Sequence, residues 1–134
     1  MKYAILAPSS HNSQPWLFRV TRGAVELYAD RSRALPVIDP EDRELVISCG
    51  CALFHLCVAM RYFGYAPRVE DFPDPRDQDL LARVYLGDPC LPSLEDGELF
   101  QAMFRRRTNR KPFLDRKVSV SLLMRLPAAA RQHK

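Results

Sequence analysis

A chain of 134 residues that is 47% hydrophobic and 27% charged has the composition of one folded globular unit, not of a disordered or fibrous chain. Its 20 Lys and Arg against 16 Asp and Glu leave a net charge of +4, a modest surplus that suits an anionic ligand and keeps nucleic acid only as a rival partner. Residues 3–7 are too short and too poorly flanked for a signal peptide, and no apolar run approaches the roughly 18 residues of a membrane span, so a cytoplasmic protein without membrane contact is expected.

The first informative segment is Ala7-Pro8-Ser9-Ser10-His11-Asn12-Ser13-Gln14-Pro15-Trp16, which packs short hydroxyl and amide side chains into a turn. Ser and Asn in such a turn can simply cap their own backbone, and that alternative stands while the segment is considered alone. His11 has no placed partner and reads as loop polarity; Trp16 reads as the anchor that buries the start of a strand. Apolar alternation over 16–20, a Thr21-Arg22-Gly23 turn and a second apolar stretch over 24–29 predict a hairpin. After a loop over 31–38, Asp39-Pro40-Glu41-Asp42 predicts a helix start, with Asp39 accepting from orphan N–H groups and Pro40 at the first helical position.

That helix should run to about Phe63 and end at Gly64, the residue best able to take a left-handed cap. Leu45, Cys49, Leu53, Leu56, Met60 and Phe63 recur at helical spacing, and Val46, Ile47, Ala52, Cys57 and Ala59 widen the stripe almost to a full circle. A helix apolar on most sides must be buried on most sides, so a partner is expected to cover what the chain itself cannot. Cys49, Cys51, Cys57 and Cys90 show no paired C-x-x-C motif and read as buried free thiols; His55 lacks a second ligand pair and reads as a packing residue. Residues 67–72 and 81–86 are candidate strands around a Pro73-Asp74-Pro75 turn, with a helical start over 79–83 as the alternative for the second. Residues 88–92 read as a linker, and Ser93 with Asp96 predicts a capped helix through about Phe104.

The second informative segment follows: Arg106-Arg107-Thr108-Asn109-Arg110-Lys111-Pro112-Phe113. If it is extended, Arg106, Thr108 and Arg110 fall on one face, where two guanidinium groups and a hydroxyl would clamp a phosphate. Arg105, Arg116 and Lys117 extend the basic run, but no aromatic residues interleave with it as a base-stacking platform. Ser119 is a plausible cap for a last helix containing Leu122, Leu123 and Leu126, which Pro127 is expected to interrupt.

Together the two segments resemble the signature segments of FMN-dependent nitroreductases, and Leu27-Tyr28-Ala29-Asp30 with residues 39–50 resembles the Acg-like branch, in which one chain is similar to two fused nitroreductase halves. The resemblance implies an α+β, partial nitroreductase-like fold with a long buried central helix and a small, mainly antiparallel sheet. In the family's usual order the Arg-rich motif precedes the Pro-Ser-Ser turn; here it follows. The resemblance therefore implies the late part of a first repeat over 1–92 and the early part of a second over 93–134, with the tail 131–134 leading towards a second Pro-Ser turn. It further implies FMN as cofactor, held by Pro8, Ser9, Ser10, Asn12 and Gln14 from one repeat and by Arg106, Thr108 and Arg110 from the other.

NAD(P)H as reductant, a nitroaromatic or quinone as acceptor, and a homo-oligomer or missing C-terminal half as structural partner follow from the same likeness. In such enzymes the cofactor carries the reaction, so no nucleophile or triad is required and no catalytic residue is assigned. Two alternatives accompany this reading: a protein that binds or sequesters FMN without turnover, and a small basic nucleic-acid binder using residues 105–117.

Overall fold

A computed structural model describes residues 1–131; the last three residues of the tail lie outside the described residues. The chain forms an α+β fold whose four strands, β1 (Trp16–Val20), β2 (Ala24–Ala29), β3 (Tyr65–Asp71) and β4 (Leu80–Pro89), make one antiparallel sheet in the order β1-β2-β4-β3. The long helix α1 (Arg43–Tyr62) packs against this sheet, and α2 (Leu94–Arg105) packs against α1. A third helix, α3 (Val120–Arg131), closes the described chain.

Period-two alternation assigns the faces of the hairpin as the sequence predicts. Pairing of Trp16 with Ala29 and of Phe18 with Leu27 directs these side chains towards α1, where Leu45, Cys49, Ala52, Leu81 and Ala82 complete the main core. The opposite face is polar. There Glu26 is buried and accepts from Arg19 Nε at 2.7 Å and from Arg83 Nε at 3.1 Å. Hydrogen bonding from Arg19, opposed by burial and helped by Arg83, holds the Glu26 carboxyl below its ordinary value.

Helix α1 ends as expected: Phe63 is the last cap position and Gly64 takes φ 84°. Its start is later than Asp39-Pro40 predicts. Asp42 adopts a left-handed conformation with its carboxylate bound by Arg31, so residues 40–42 form a turn before the helix and Arg43 becomes its first residue. Asp39 still satisfies an orphan donor, accepting from the Leu45 N–H at 2.9 Å. By length and composition α1 is apolar enough to cross a membrane, with mean hydropathy 1.7 over its best window. This corrects the expectation that no apolar run approaches a membrane span: Ser48, Gly50 and His55 break the run without making it hydrophilic. In this fold half of that window is buried against the rest of the chain. Leu53, expected in the core, is partly buried between two apolar clusters, and Ile47 is 55% exposed.

Residues 79–83 are not helical, since β4 begins at Leu80. Nor are 88–92 simply a linker: β4 runs to Pro89, which pairs with Tyr65, and the Cys90 N–H donates to the Gly64 carbonyl. Ser93 and Asp96 form the predicted reciprocal capping box at the start of α2. Phe100 and Met103 of α2 join Val58 and Ala59 in a second core, with Tyr62 stacked on Phe100 at 3.9 Å between ring centroids. Pro127 lies inside α3 without ending it; the helix forgoes the one donor that proline lacks and continues. Ser119 Oγ accepts from the Leu122 N–H at its start.

Candidate functional site

The early polar turn is held from within and from α1. Ser10–Asn12 makes a short 3-10 turn, and His11, Asn12 and Gln14 all have left-handed backbone, at φ 48°, 57° and 51°. Outside glycine such a backbone costs on the order of 1–2 kcal/mol per residue, least for Asn. Hydrogen bonds offset that cost. Ser9 accepts at both oxygens, from the Asn12 N–H at its carbonyl (3.1 Å) and from the Gln14 N–H at its hydroxyl (3.0 Å), while the Gln14 side chain donates to Asn12 Oδ1 at 3.2 Å. The Ser10 N–H donates to Ser48 Oγ at 3.2 Å and its hydroxyl donates to the Glu44 carboxylate, tying the turn to the first turns of α1. Pro15 and Trp16 anchor the other end: Pro15 accepts from the Cys49 thiol at 3.1 Å, and Trp16 is buried in the main core.

The basic segment begins at the C-cap of α2, where Arg106 leaves helical geometry at φ −55° and ψ 135°. Arg107 turns back to cap the helix, donating to the carbonyls of Phe104 and Arg106 at 3.0 and 2.8 Å, so the basic run does not present one continuous cationic face. Arg106 turns the other way. Its Nη2 donates to the Leu6 carbonyl at 3.4 Å, directly before the early turn, and its Nη1 donates to Thr108 Oγ1 at 3.2 Å.

These placements bring the two distant segments to one cavity of about 590 Å³, lined by Pro8, Ser9 and Asn12 from the turn and by Arg106, Thr108 and Arg110 from the basic segment. Ser10 and Gln14 are not on its wall: Ser10 is spent on α1, and Gln14 braces Asn12 and Ser9 from behind. The turn therefore does cap itself, as the simpler alternative holds, and lines the cavity as well. Ala7, His11, Asn109 and Lys111, to which the sequence reading gave no part in the site, complete the wall. Lys111 is legible as the continuation of the basic run, whereas nothing in the sequence shows that His11 reaches the cavity.

Arg106, Arg110 and Lys111 are the ionisable cations of this wall, and no carboxylate lines it among the described residues. That donor set, with hydroxyl and amide groups opposite, can hold an anion such as a phosphate. Arg110 is exposed, as expected of an open clamp. Arg106 is not: it is half-buried, and its Nε is buried with no hydrogen-bond partner among the described residues. A larger, more open cavity of about 900 Å³ lies along α2 from Leu94 to Arg105, with Tyr62 of α1 on its wall, and shares Arg106, but none of the early turn lines it.

None of the nearby cysteines is primed for nucleophilic chemistry. Burial pushes the Cys49 thiol up to about 12 and the Cys57 thiol to about 11, and raises Cys51 as well. All four cysteines are free thiols, but only Cys49 and Cys57 are buried as expected; Cys51 and Cys90 are half-buried. His55, on α1, is buried and kept below its ordinary value by burial and by the Arg106 charge, against a backbone hydrogen bond with Tyr3 that pulls it up.

No family model matches the chain. Curated proteins do. The chain is 42% identical over 110 residues to "Putative NAD(P)H nitroreductase Rv3131" of Mycobacterium tuberculosis, covering 82% of this chain and 32% of that protein. It is 36% identical over 115 residues to "Putative NAD(P)H nitroreductase acg" of the same organism, covering 86% and 35% respectively. With "Probable NAD(P)H nitroreductase PigM" of a Serratia species it shares 30% identity over 109 residues, covering 80% and 30%. The chain thus spans about a third of the length of the curated relatives it matches.

Proposed function

The chain belongs to the nitroreductase family, and we propose that it forms part of an FMN-dependent NAD(P)H oxidoreductase, contributing both walls of one flavin-nucleotide site. The observation that carries this reading is the single cavity lined by Pro8, Ser9 and Asn12 on one side and Arg106, Thr108 and Arg110 on the other. Arg106, Arg110 and Lys111 would bind the phosphate, Thr108 would add a hydroxyl contact, and the backbone and side chains of Ser9 and Asn12 would meet the polar edge of the ring. When bound, FMN supplies the hydride chemistry, accepting from NAD(P)H and passing electrons to a nitroaromatic or quinone acceptor. The protein's own part is to bind, orient and partly enclose. The boundary near residue 92 between a late first repeat and an early second one belongs to the same proposal. So does a second copy, or the rest of a two-repeat chain, covering exposed apolar residues such as Ile47, Phe113 and Leu114.

A second reading, retention of FMN without turnover, is favoured by the exposure of Thr108, Asn109, Arg110 and Lys111, which leaves that wall open to water. One experiment separates the two. Purified chain is loaded with FMN, desalted and mixed anaerobically with NADPH. Retained yellow absorbance that bleaches supports the oxidoreductase; retained absorbance that does not bleach supports sequestration; no retained absorbance contradicts both. Salt-sensitive binding to DNA in place of FMN would point to the nucleic-acid alternative.

A further inference from the structure

Two buried polar atoms lack partners among the described residues: Nδ1 of His55 and Nε of Arg106. They are complementary, since a neutral imidazole nitrogen accepts and a guanidinium N–H donates. Both residues are also tied to the same short N-terminal segment, His55 through a backbone hydrogen bond with Tyr3 and Arg106 through the Leu6 carbonyl, and the Leu6 N–H closes that segment onto the Tyr3 carbonyl. The Arg106 charge helps to lower His55 and opposes the rise at Cys51, one helical turn away on α1. Arg106 is at the same time on the wall of the clamp cavity.

We propose that His55 is a positioning residue for Arg106, its Nδ1 receiving the Arg106 Nε–H when the guanidinium turns onto an anion in the clamp cavity. The proposal rests on the reading of that cavity as an anion site. Pairing at Nε leaves the two terminal nitrogens to fork onto an anion, and it fixes the plane of the guanidinium from the helix side. Burial keeps the imidazole neutral and hence able to accept.

The test uses the full chain with FMN as probe, read by quenching of flavin fluorescence, in the parent and in His55→Leu and His55→Asn. The Asn amide lies close to the position of Nδ1. His55→Leu should weaken FMN binding by about tenfold, the worth of a hydrogen bond to a charged group, while His55→Asn stays within about threefold of the parent. His55→Leu with parental affinity would overturn the proposal. A second readout does not depend on a variant folding: ¹⁵N spectra of the parent with and without inorganic phosphate should show the His55 ring and the Arg106 Nε–H shifting together. Saturation by phosphate or FMN with both signals unmoved would overturn the pairing while leaving the FMN reading intact. A parent that shows the phosphate-dependent shifts but releases FMN would support the pairing and contradict the flavin reading.

Discussion

The two walls of the clamp cavity are built in opposite ways. The early turn is braced by its own hydrogen bonds, by Ser48 and Glu44 of α1 and by the buried Trp16, although its backbone passes three times through the left-handed region. The later segment hangs from the C-terminus of α2, and beyond Arg106 its residues through Lys111 are exposed. One wall is preorganised by the fold; the other has few buried contacts to hold it. A ligand that needs both walls would lose little entropy on the first and would order the second, so binding should be most sensitive to charge on the soft side and to stability on the stiff side.

The largest effect should come from the core beneath the stiff wall. Leu27 is 1% exposed and packs with Trp16, so Leu27→Ala should lower unfolding free energy by about 3 kcal/mol in urea titrations. A change below about 1 kcal/mol would mean that this core does not carry the turn. Next, Arg110→Ala should weaken FMN binding by roughly 10- to 100-fold with stability within about 0.5 kcal/mol of the parent, because Arg110 is exposed. Arg106→Ala should not separate so cleanly. Its half-burial and its bond to Leu6 predict some loss of stability as well, contrary to what a freely exposed clamp arginine would show.

Smaller again, Ser48→Ala removes the acceptor of the Ser10 N–H and should cost about 1 kcal/mol, with hydrogen exchange accelerating at residues 9–14 and not at 106–111. Equal acceleration on both walls would contradict their independence. The smallest effect is on pH dependence. The His55 pKa is depressed in the folded chain below its ordinary 6.5, so its contribution to stability is complete above that value and is lost as the pH falls through the folded pKa. Thermal melts of the parent should therefore drop more steeply than those of His55→Leu as the pH falls from neutrality towards 5. Parallel curves would show that His55 does not titrate on unfolding.

Much of the fold was legible because local chemistry and global structure agree. Thr21-Arg22-Gly23 makes the hairpin, Gly64 ends α1 and Ser93 with Asp96 caps α2. The errors arise where a distant partner decides. Asp42 is drawn away by Arg31 and delays α1, and pairing with β3 draws residues 88 and 89 into the sheet. Arg106, Thr108 and Arg110 do line one cavity, but Asn109 and Lys111 line it too, so period two alone does not describe this wall, and it says nothing of how deeply Arg106 is buried, because that depends on Leu6 and α1, far away in sequence. For the same reason Ser10 and Gln14 could be assigned to the turn from sequence but not to its outer side.

Hydrogen–deuterium exchange of the full chain with and without saturating FMN tests the central claim most directly, since a ligand held between the two walls must slow exchange on both. Protection should appear at residues 9–14 and 106–111 together, with the larger change on the softer basic segment. Protection confined to one wall, or absent from both while FMN remains bound, would contradict a shared site.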